Sequence, residues 1–452
     1  MMLMRRVIAG LLLLPVVWML KIDVNDVDSI HEAQALVAKG LMDYYNGNDS
    51  GGTPGMFQSP YYWWEAGVAW GTLLDYVYYT GNDTYKDLVK TSLLYQRGEN
   101  NDYMPENQTS VEGNDDQAFW GITVMAAAEN NFTNPEGDYP GWLYLAQAVF
   151  NTMAARWETG SCNGGLRWQI YTWNSGYSYK NAVSNGSLFN IGARLARYTG
   201  NDSYVEWCEK VWDWSEDVSF VNHTLGADSL SIYDGADMSQ NCSDIKKLEW
   251  TYNYGLYLSG AAFLYNYTED RKWLARVEHV WNRAKVFFHD GKIMYEAACQ
   301  PSNGCNNDQR SFKGIFSRLL GLTMKMAPTM HDQIREKLVS SAYGAAQSCS
   351  GGTDGHTCGL NWFYDGWDGM YGLGEQISAL DLFNTLLIDE QHAPLTDRTG
   401  GSSKGDGSAG TKSKGPEGVS ALDIETKDIA GASVITAVVL IVMLASTWWL
   451  IF

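Results

Sequence analysis

Between residue 28 and about residue 390 the chain alternates two hydrophobic patterns. Segments near 61–80, 115–130, 181–199, 249–267, 310–327 and 369–389 are apolar all round, with many small and aromatic residues. A helix of that kind must be covered on every side. Segments near 29–45, 83–97, 139–157, 202–216, 270–288 and 330–348 are amphipathic at helical spacing. Six buried and six amphipathic helices in alternation predict an all-α fold, an (α/α)6 toroid with an inner and an outer ring. A stacked α-solenoid is the alternative, because its helix pairs alternate in the same way.

An internal repeat supports this plan. Tyr79-Thr80-Gly81-Asn82-Asp83-Thr84-Tyr85 recurs as Tyr198-Thr199-Gly200-Asn201-Asp202-Ser203-Tyr204, with a degenerate copy from Tyr265 to Trp273. Each copy ends an apolar helix and starts an amphipathic one, with Gly81 and Gly200 as stop signals and Asp83 and Asp202 as starts. A toroid then gathers every loop that enters an inner helix on one face. Those loops carry Tyr61-Tyr62-Trp63-Trp64-Glu65, Gly113-Asn114-Asp115-Asp116-Gln117, Ser184-Asn185-Gly186, Trp250-Thr251-Tyr252-Asn253, Gln309 to Gly314, and Trp367 to Tyr371. Turn formation accounts for the glycines but not for Trp, Tyr, Asn and Asp recurring on the same side of each repeat.

Composition narrows the function classes. The 452 residues carry 52 acidic and 32 basic side chains, a formal charge of −20, and no basic run that could neutralise phosphates, which argues against nucleic acid as a partner. The charge suits a secreted, well-solvated surface. The 19 Trp and 27 Tyr are mostly expected in the core, yet their rings also stack on sugar faces.

The two ends of the chain carry targeting signals. Arg5-Arg6 precedes an apolar stretch of 14 residues, Val7 to Leu20, which predicts a signal peptide over 1–20, with an uncleaved anchor as the alternative. Residues 391–428 are rich in Gly, Ser, Lys, Thr and Asp and predict a flexible linker after the 21–390 domain. Residues 429–452 form an uncharged terminal tail behind a polar spacer. That order predicts a GPI signal rather than a membrane span, with Gly418 as the attachment residue ahead of Gly415 and Ser413. N-glycosylation sequons occur at Asn48, Asn82, Asn107, Asn131, Asn185, Asn201, Asn222, Asn241 and Asn266. These features predict a protein secreted to the cell surface and held on the outer leaflet of the plasma membrane or in the cell wall.

In an oxidising compartment the seven cysteines predict disulfides Cys299–Cys305 and Cys349–Cys358, each closing a local loop, and Cys162–Cys242 between loop-like segments. Cys208 lies in a helical pattern and is left as a buried free thiol. No C-x-x-C, complete H-E-x-x-H or EF-hand frame occurs, so no metal or cofactor is expected. Gly401 to Gly405 matches G-x-S-x-G but lacks the strand and helix that a nucleophile elbow needs.

The paired aspartates Asp115-Asp116 are the strongest chemical candidate. Two neighbouring carboxyls separate their pKa values, so one can donate a proton while the other stays ionised. The plainer explanation is favourable charge at a helix start. Both can hold at once, since only at a helix start can two sequence neighbours lean toward one bond. Asn114 is then the expected N-cap.

The motifs Trp64-Glu65-Ala66-Gly67, Gly113 to Ala118, Gly164-Gly165-Leu166-Arg167-Trp168, Ser184-Asn185-Gly186, Trp250 to Asn253 and Asp308-Gln309 with Phe312-Lys313-Gly314 occur in order over residues 25–390. In this the chain resembles glycoside hydrolase family 76, the endo-α-1,6-mannanases, and within it the fungal GPI-anchored cell-wall branch. The resemblance implies a retaining mechanism on α-1,6-mannan, with Asp115 as nucleophile and Asp116 as general acid/base. For the cell-wall branch it also implies transglycosylation, with a GPI-glycan core as donor and wall β-glucan as acceptor. Trp64, Trp120, Trp250 and Trp367 are candidates for stacking on sugars. Glu65, Asn114, Gln117, Asn185, Asp234, Tyr252, Asn253 and Lys313 are candidates for gripping hydroxyls, with structural ion pairs as the alternative for Glu65 and Lys313. A non-catalytic mannan-binding wall protein is the competing reading.

Overall fold

The computed structural model describes residues 20–223, 226–353 and 355–411, with residues 433, 436–441, 443 and 446 near the end. Residues 1–19 of the expected signal peptide, Gly418, the rest of the expected linker beyond 411 and most of the terminal tail lie outside the described residues. No described helix is long and apolar enough to cross a membrane.

All twelve expected helices form. The outer ring is α1 (Val27–Met42), α3 (Lys86–Tyr95), α5 (Trp142–Ala155), α7 (Ser203–Asp217), α9 (Arg271–Ala284) and α11 (His331–Ser348). The inner ring is α2 (Trp63–Thr80), α4 (Asn114–Glu129), α6 (Ala182–Thr199), α8 (Thr251–Thr268), α10 (Phe312–Met326) and α12 (Leu373–Thr385). Each inner helix packs against the next around the ring. The ring closes where α12 meets α2, with Asn384 Nδ2 donating to Thr72 O at 3.0 Å. Gln34 Nε2 of α1 donates to Asn384 Oδ1 at 2.9 Å, so the first outer helix covers the last inner one. That closure makes the fold an (α/α)6 toroid; a solenoid would leave its first and last pairs apart.

The repeat has a physical cause. Helices α2 and α6 end on Gly81 and Gly200 at φ 66° and 67°, while α8 ends on Glu269 at φ 57°. After the first two copies the turn is capped by Asn82 and Asn201 rather than by the aspartates that follow them. The three expected disulfides are present, and Cys208 is free and buried.

The expectation of a flexible linker from residue 391 does not hold for its first half. Residues 391–411 form a strap bonded along the domain. Leu395 N donates to Glu129 O at the end of α4, and Asp397 N to Tyr198 O at the end of α6. Leu143 N donates to Ser403 Oγ, and Asn151 Nδ2 to the carbonyls of Gly407 and Ala409. Gly and Ser are chosen here for close approach to α5 rather than for mobility, since a side chain at Gly405 would overlap Gln147. A chain ending at Glu390 is therefore expected to melt at a lower temperature than one ending at Thr411. Equal melting temperatures in calorimetry would show the strap to be dispensable.

Candidate active site

The first turns of the inner helices meet on one face and floor a cleft with aromatic rings. Tyr252 of α8 stacks on Phe312 of α10 at 3.8 Å and lies 6.3 Å from Phe119 of α4. Trp64 of α2 packs on Phe119 at 5.0 Å, and Trp250 packs edge-on against Phe312 at 5.7 Å. Tyr179 OH and Trp250 Nε1 both donate to Asp234, at 2.5 and 3.0 Å. A small sheet of Tyr179–Asn181, Gly235–Asp237 and Ile245–Lys246 sets those two side chains beside each other.

Asp115 and Asp116 occupy the first turn of α4, as expected, but the N-cap is Gly113 rather than Asn114. Gly113 N donates to Asp116 Oδ2 at 2.6 Å, the reach-back half of a capping box. Asp115 turns the other way and accepts from Trp168 Nε1 at 3.0 Å. A side chain at position 113 would overlap Asp115 Oδ1, so the pair requires glycine there. Gly165, at φ 91°, lets the loop before Trp168 pass against the Trp214 ring, which any side chain would strike. That loop is pinned by Lys180, whose Nζ donates to Gly164 O at 2.6 Å and pairs with Glu158 at 2.8 Å. Burial works against the Glu158 charge, yet bonds from Lys180, Ser161 and Arg167 hold its pKa down to about 2.

Carboxyls crowd this face, and burial raises their pKa values. Asp115 is pushed well above the usual range by burial and then by the charge of Asp116. Asp116 rises to about 7 through burial, opposed by the Gly113 N–H and helped by Asp308. Glu65 rises to about 8 through burial, with Asp308 and Glu375 adding. After burial, the charges of Asp234, Asp115, Glu296 and Asp308 all bear on the Tyr252 hydroxyl, which shows how closely they converge. The two carboxyls interact strongly, so their protons come off as steps of the pair rather than of either residue.

These shifts predict how stability varies with pH. Glu65 and Glu296 at about 8, and Asp116 and Glu375 at about 7, keep protons when folded that the unfolded chain loses near pH 4. Their contribution is full below pH 4 and is lost as pH rises toward 7 or 8, at about 1.4 kcal/mol per pH unit per such carboxyl. Lys313, lowered to about 7 by burial, acts in the opposite sense only above pH 7. Urea midpoints are expected to fall between pH 5 and pH 7; a flat profile would contradict these assignments.

The other sequence candidates divide. Trp64, Trp250, Tyr252 and Asp234 belong to the cleft. Trp367, 36% exposed, lies on the loop into α12 with Nε1 donating to Met370 O at 2.6 Å. Glu65 and Asn253 are fully buried at inner-helix starts; Glu65 Oε2 accepts from Tyr62 N, and neither Asn253 amide atom has a partner. Five candidates are interior. Asn114 Nδ2 donates to Arg167 O at 2.9 Å and Gln117 Nε2 to Asp102 O at 2.7 Å, tying down the wall that carries Trp168. Trp120 is sandwiched between Trp63 and Tyr103. Lys313 Nζ donates to Leu360 O and sits 3.9 Å over the Trp362 ring, without the ion pair considered for it. Asn185 is buried in α6, where its amide accepts from Leu166 N at 2.8 Å and donates to Asn181 O at 2.9 Å. It cannot grip a sugar or carry a glycan in the folded chain. Of the other sequon asparagines, Asn222 is half-buried and the rest are exposed. Sequence reasoning assigned no role to Trp168, Tyr179, Phe119, Phe312 or Asp308, although Trp168, Phe312 and Asp308 lie in the motifs that carry the resemblance.

Comparison with known proteins agrees with this geometry. The profile of glycosyl hydrolase family 76 matches residues 29–398. Mannan endo-1,6-alpha-mannosidase DCW1 of Saccharomyces cerevisiae is 55% identical over 96% of this chain and 95% of its own. Its namesake DFG5 from the same yeast is 52% identical over 95% of this chain and 94% of its own. The crystal structure of Dfg5 from Chaetomium thermophilum in complex with glucosamine superposes with a TM-score of 0.83 and 41% identity, covering 87% of this chain and 98% of that one. An alpha-1,6-mannanase of Salegentibacter, solved as an inactive variant with two consecutive aspartates replaced by asparagine and in complex with alpha-1,6-mannotriose, shares the fold. Its TM-score is 0.63 at 20% identity, over 79% of this chain and 99% of that one. Profile, relatives and fold agree over the span that carries the aspartate pair: the chain belongs to glycosyl hydrolase family 76.

Proposed function

We propose that this enzyme cleaves α-1,6-linked mannan with retention and passes the cleaved glycan to a cell-wall β-glucan, so that a GPI-glycan core serves as donor. The observation that carries the reading is the carboxyl pair at the start of α4, facing an aromatic-floored cleft. Asp115 Oδ2 accepts from Trp168 Nε1 at 3.0 Å while Asp115 Oδ1 has no partner, and Asp116 Oδ2 accepts from Gly113 N at 2.6 Å. The unpartnered Asp115 oxygen is left to bond carbon, so Asp115 is assigned as nucleophile and Asp116 as the proton carrier, the order that the family resemblance implies. Asp116 gives its proton to the glycosidic oxygen while the Asp115 carboxylate bonds to the anomeric carbon and the leaving sugar departs. Asp116, now ionised, takes a proton from the incoming hydroxyl, which attacks that carbon and frees Asp115. Water as acceptor gives hydrolysis; a glucan hydroxyl gives transfer. The aromatic floor offers ring faces to mannose and keeps water scarce beneath the bond.

The names of the relatives support the mannan substrate, as does the mannotriose bound by the asparagine variant of the Salegentibacter enzyme. The signal peptide, the exposed sequons and the terminal tail support secretion and GPI anchoring. Incubating the protein with an α-1,6-mannooligosaccharide, with and without a β-glucan oligosaccharide, tests the activity by mass spectrometry. Mixed mannose–glucan products establish transfer, and shortened mannan alone establishes hydrolysis. Neither product would leave a mannan-binding wall protein. Release from cells by a phosphatidylinositol-specific phospholipase tests the anchor.

A further inference from the structure

Behind the wall that carries Trp168 lies a second cavity, of about 870 Å³. It is bounded by the loop into α4, the end of α5, residues 167–177, and Gly410 and Thr411 at the end of the strap. Its volume falls within the roughly 300–1,000 Å³ of small-molecule sites. Asn114, Arg167 and Gln169 line it, so it shares a wall with the cleft, and the proposed chemistry leaves it unused.

The lining is rigid and of mixed character. Tyr171 and Trp173 stack with ring centres 5.0 Å apart. Trp173 is 61% exposed yet fixed, because its Nε1 donates to Thr109 O at 3.1 Å. Asn174 Nδ2 clamps the same carbonyl at 3.2 Å. The Arg167 guanidinium lies 4.2 Å over the Tyr177 ring and bonds Glu158 at 2.7 Å. Arg156 also lines it, its Nε donating to Asn114 Oδ1 at 2.8 Å and its Nη1 to the Met104 sulfur at 3.2 Å. Asp102 and Glu106 supply the opposite charge. An anion or a cation would meet both signs here. A neutral sugar chain would not: its C–H faces suit a held, exposed indole, and its hydroxyls suit carboxylates and guanidiniums alike.

We propose that this cavity is a second glycan site, which holds a stretch of neutral hexose polymer across the Trp168 wall from the bond being cut. The assignment rests on the glycosidase reading only for which polymer is held, mannan or β-glucan.

Hydrogen exchange in the full chain, carrying Asp115→Asn to limit turnover, tests it with α-1,6-mannohexaose and with a β-glucan hexasaccharide. Peptides over 170–178 are expected to gain protection with at least one of them, which names the polymer. That protection should disappear in Trp173→Ala and return in Trp173→Phe, with affinity at this site weakened roughly two- to tenfold in the alanine variant. Absence of protection there with both sugars, or protection that survives Trp173→Ala, overturns the proposal. Protection that appears only after Asn107→Gln would assign the cavity to the chain's own N-glycan and overturn it as well. Failure of the glycosidase reading would show separately, as absent protection over 113–120 and no cleavage by the unsubstituted chain.

Discussion

Asparagine at position 115 is expected to abolish turnover of α-1,6-mannan, by at least about a thousandfold, while the protein stays folded. The change keeps the size of the side chain and its place beside Trp168, but an amide cannot form the covalent intermediate. Asp116→Asn should fail differently. It retains a group that can accept from Gly113 N but has no proton to give, so loss should be severe on mannan. It should be much smaller on an aryl mannoside whose leaving group needs no protonation. Kinetics on both substrates, with melting curves to confirm folding, check the pair. Full activity in either variant would refute the assignment of that residue, and equal losses on both substrates for Asp116→Asn would refute its role as acid.

The largest expected effect on stability lies at the opposite end of the inner ring. Arg194 of α6 and Glu129 of α4 are both almost fully buried. Arg194 Nε reaches the Glu129 oxygens at 3.2 and 3.1 Å, Nη2 reaches Oε2 at 2.5 Å, and Nη1 donates to Ile122 O at 3.3 Å. Glu129→Ala strands a buried guanidinium and is expected to cost about 3–5 kcal/mol in chemical denaturation. Replacing both partners with apolar residues should cost less, because no charge is then left alone. Glu209→Ala is the control. It breaks the Lys272–Glu209 pair, comparably short at 2.6 Å but nearly half exposed, and should cost under about 1 kcal/mol. Equal costs for the two alanine variants would mean that burial does not set the strength of the α4–α6 contact.

Much of the toroid could be read from the sequence because covering a helix on all sides demands an unmistakable composition. Helix α4 has no polar face beyond its first turn, and α9 has one throughout; six of each suit a ring within a sheath or an open solenoid, and the α12–α2 contact decides for the ring. The aspartate pair was legible because its position at a helix start is both an electrostatic preference and a catalytic requirement. The residues around it were less so. Asn114, Gln117, Asn185 and Lys313 look like sugar-gripping groups, but such residues also satisfy buried backbone where loops turn into helices. Their identity does not say which task they perform. Trp168 escaped assignment because it reaches Asp115 from a loop 53 residues away, through a turn that depends on Gly165 and Lys180. The strap escaped because close packing of Gly and Ser against α5 has the composition of an unstructured linker.

That strap also sets the geometry of any tether. It begins where α4 and α6 end, far from the aspartates, and climbs α5 to leave the described chain at Thr411, beside the second cavity. Gly418 lies seven residues further on, at most about 25 Å of extended chain. An enzyme anchored there would hang by its catalytic side rather than by its back. Other glycans on the same membrane would then face the cleft at a raised local concentration, and soluble mannan would have to reach it through the narrow space beneath.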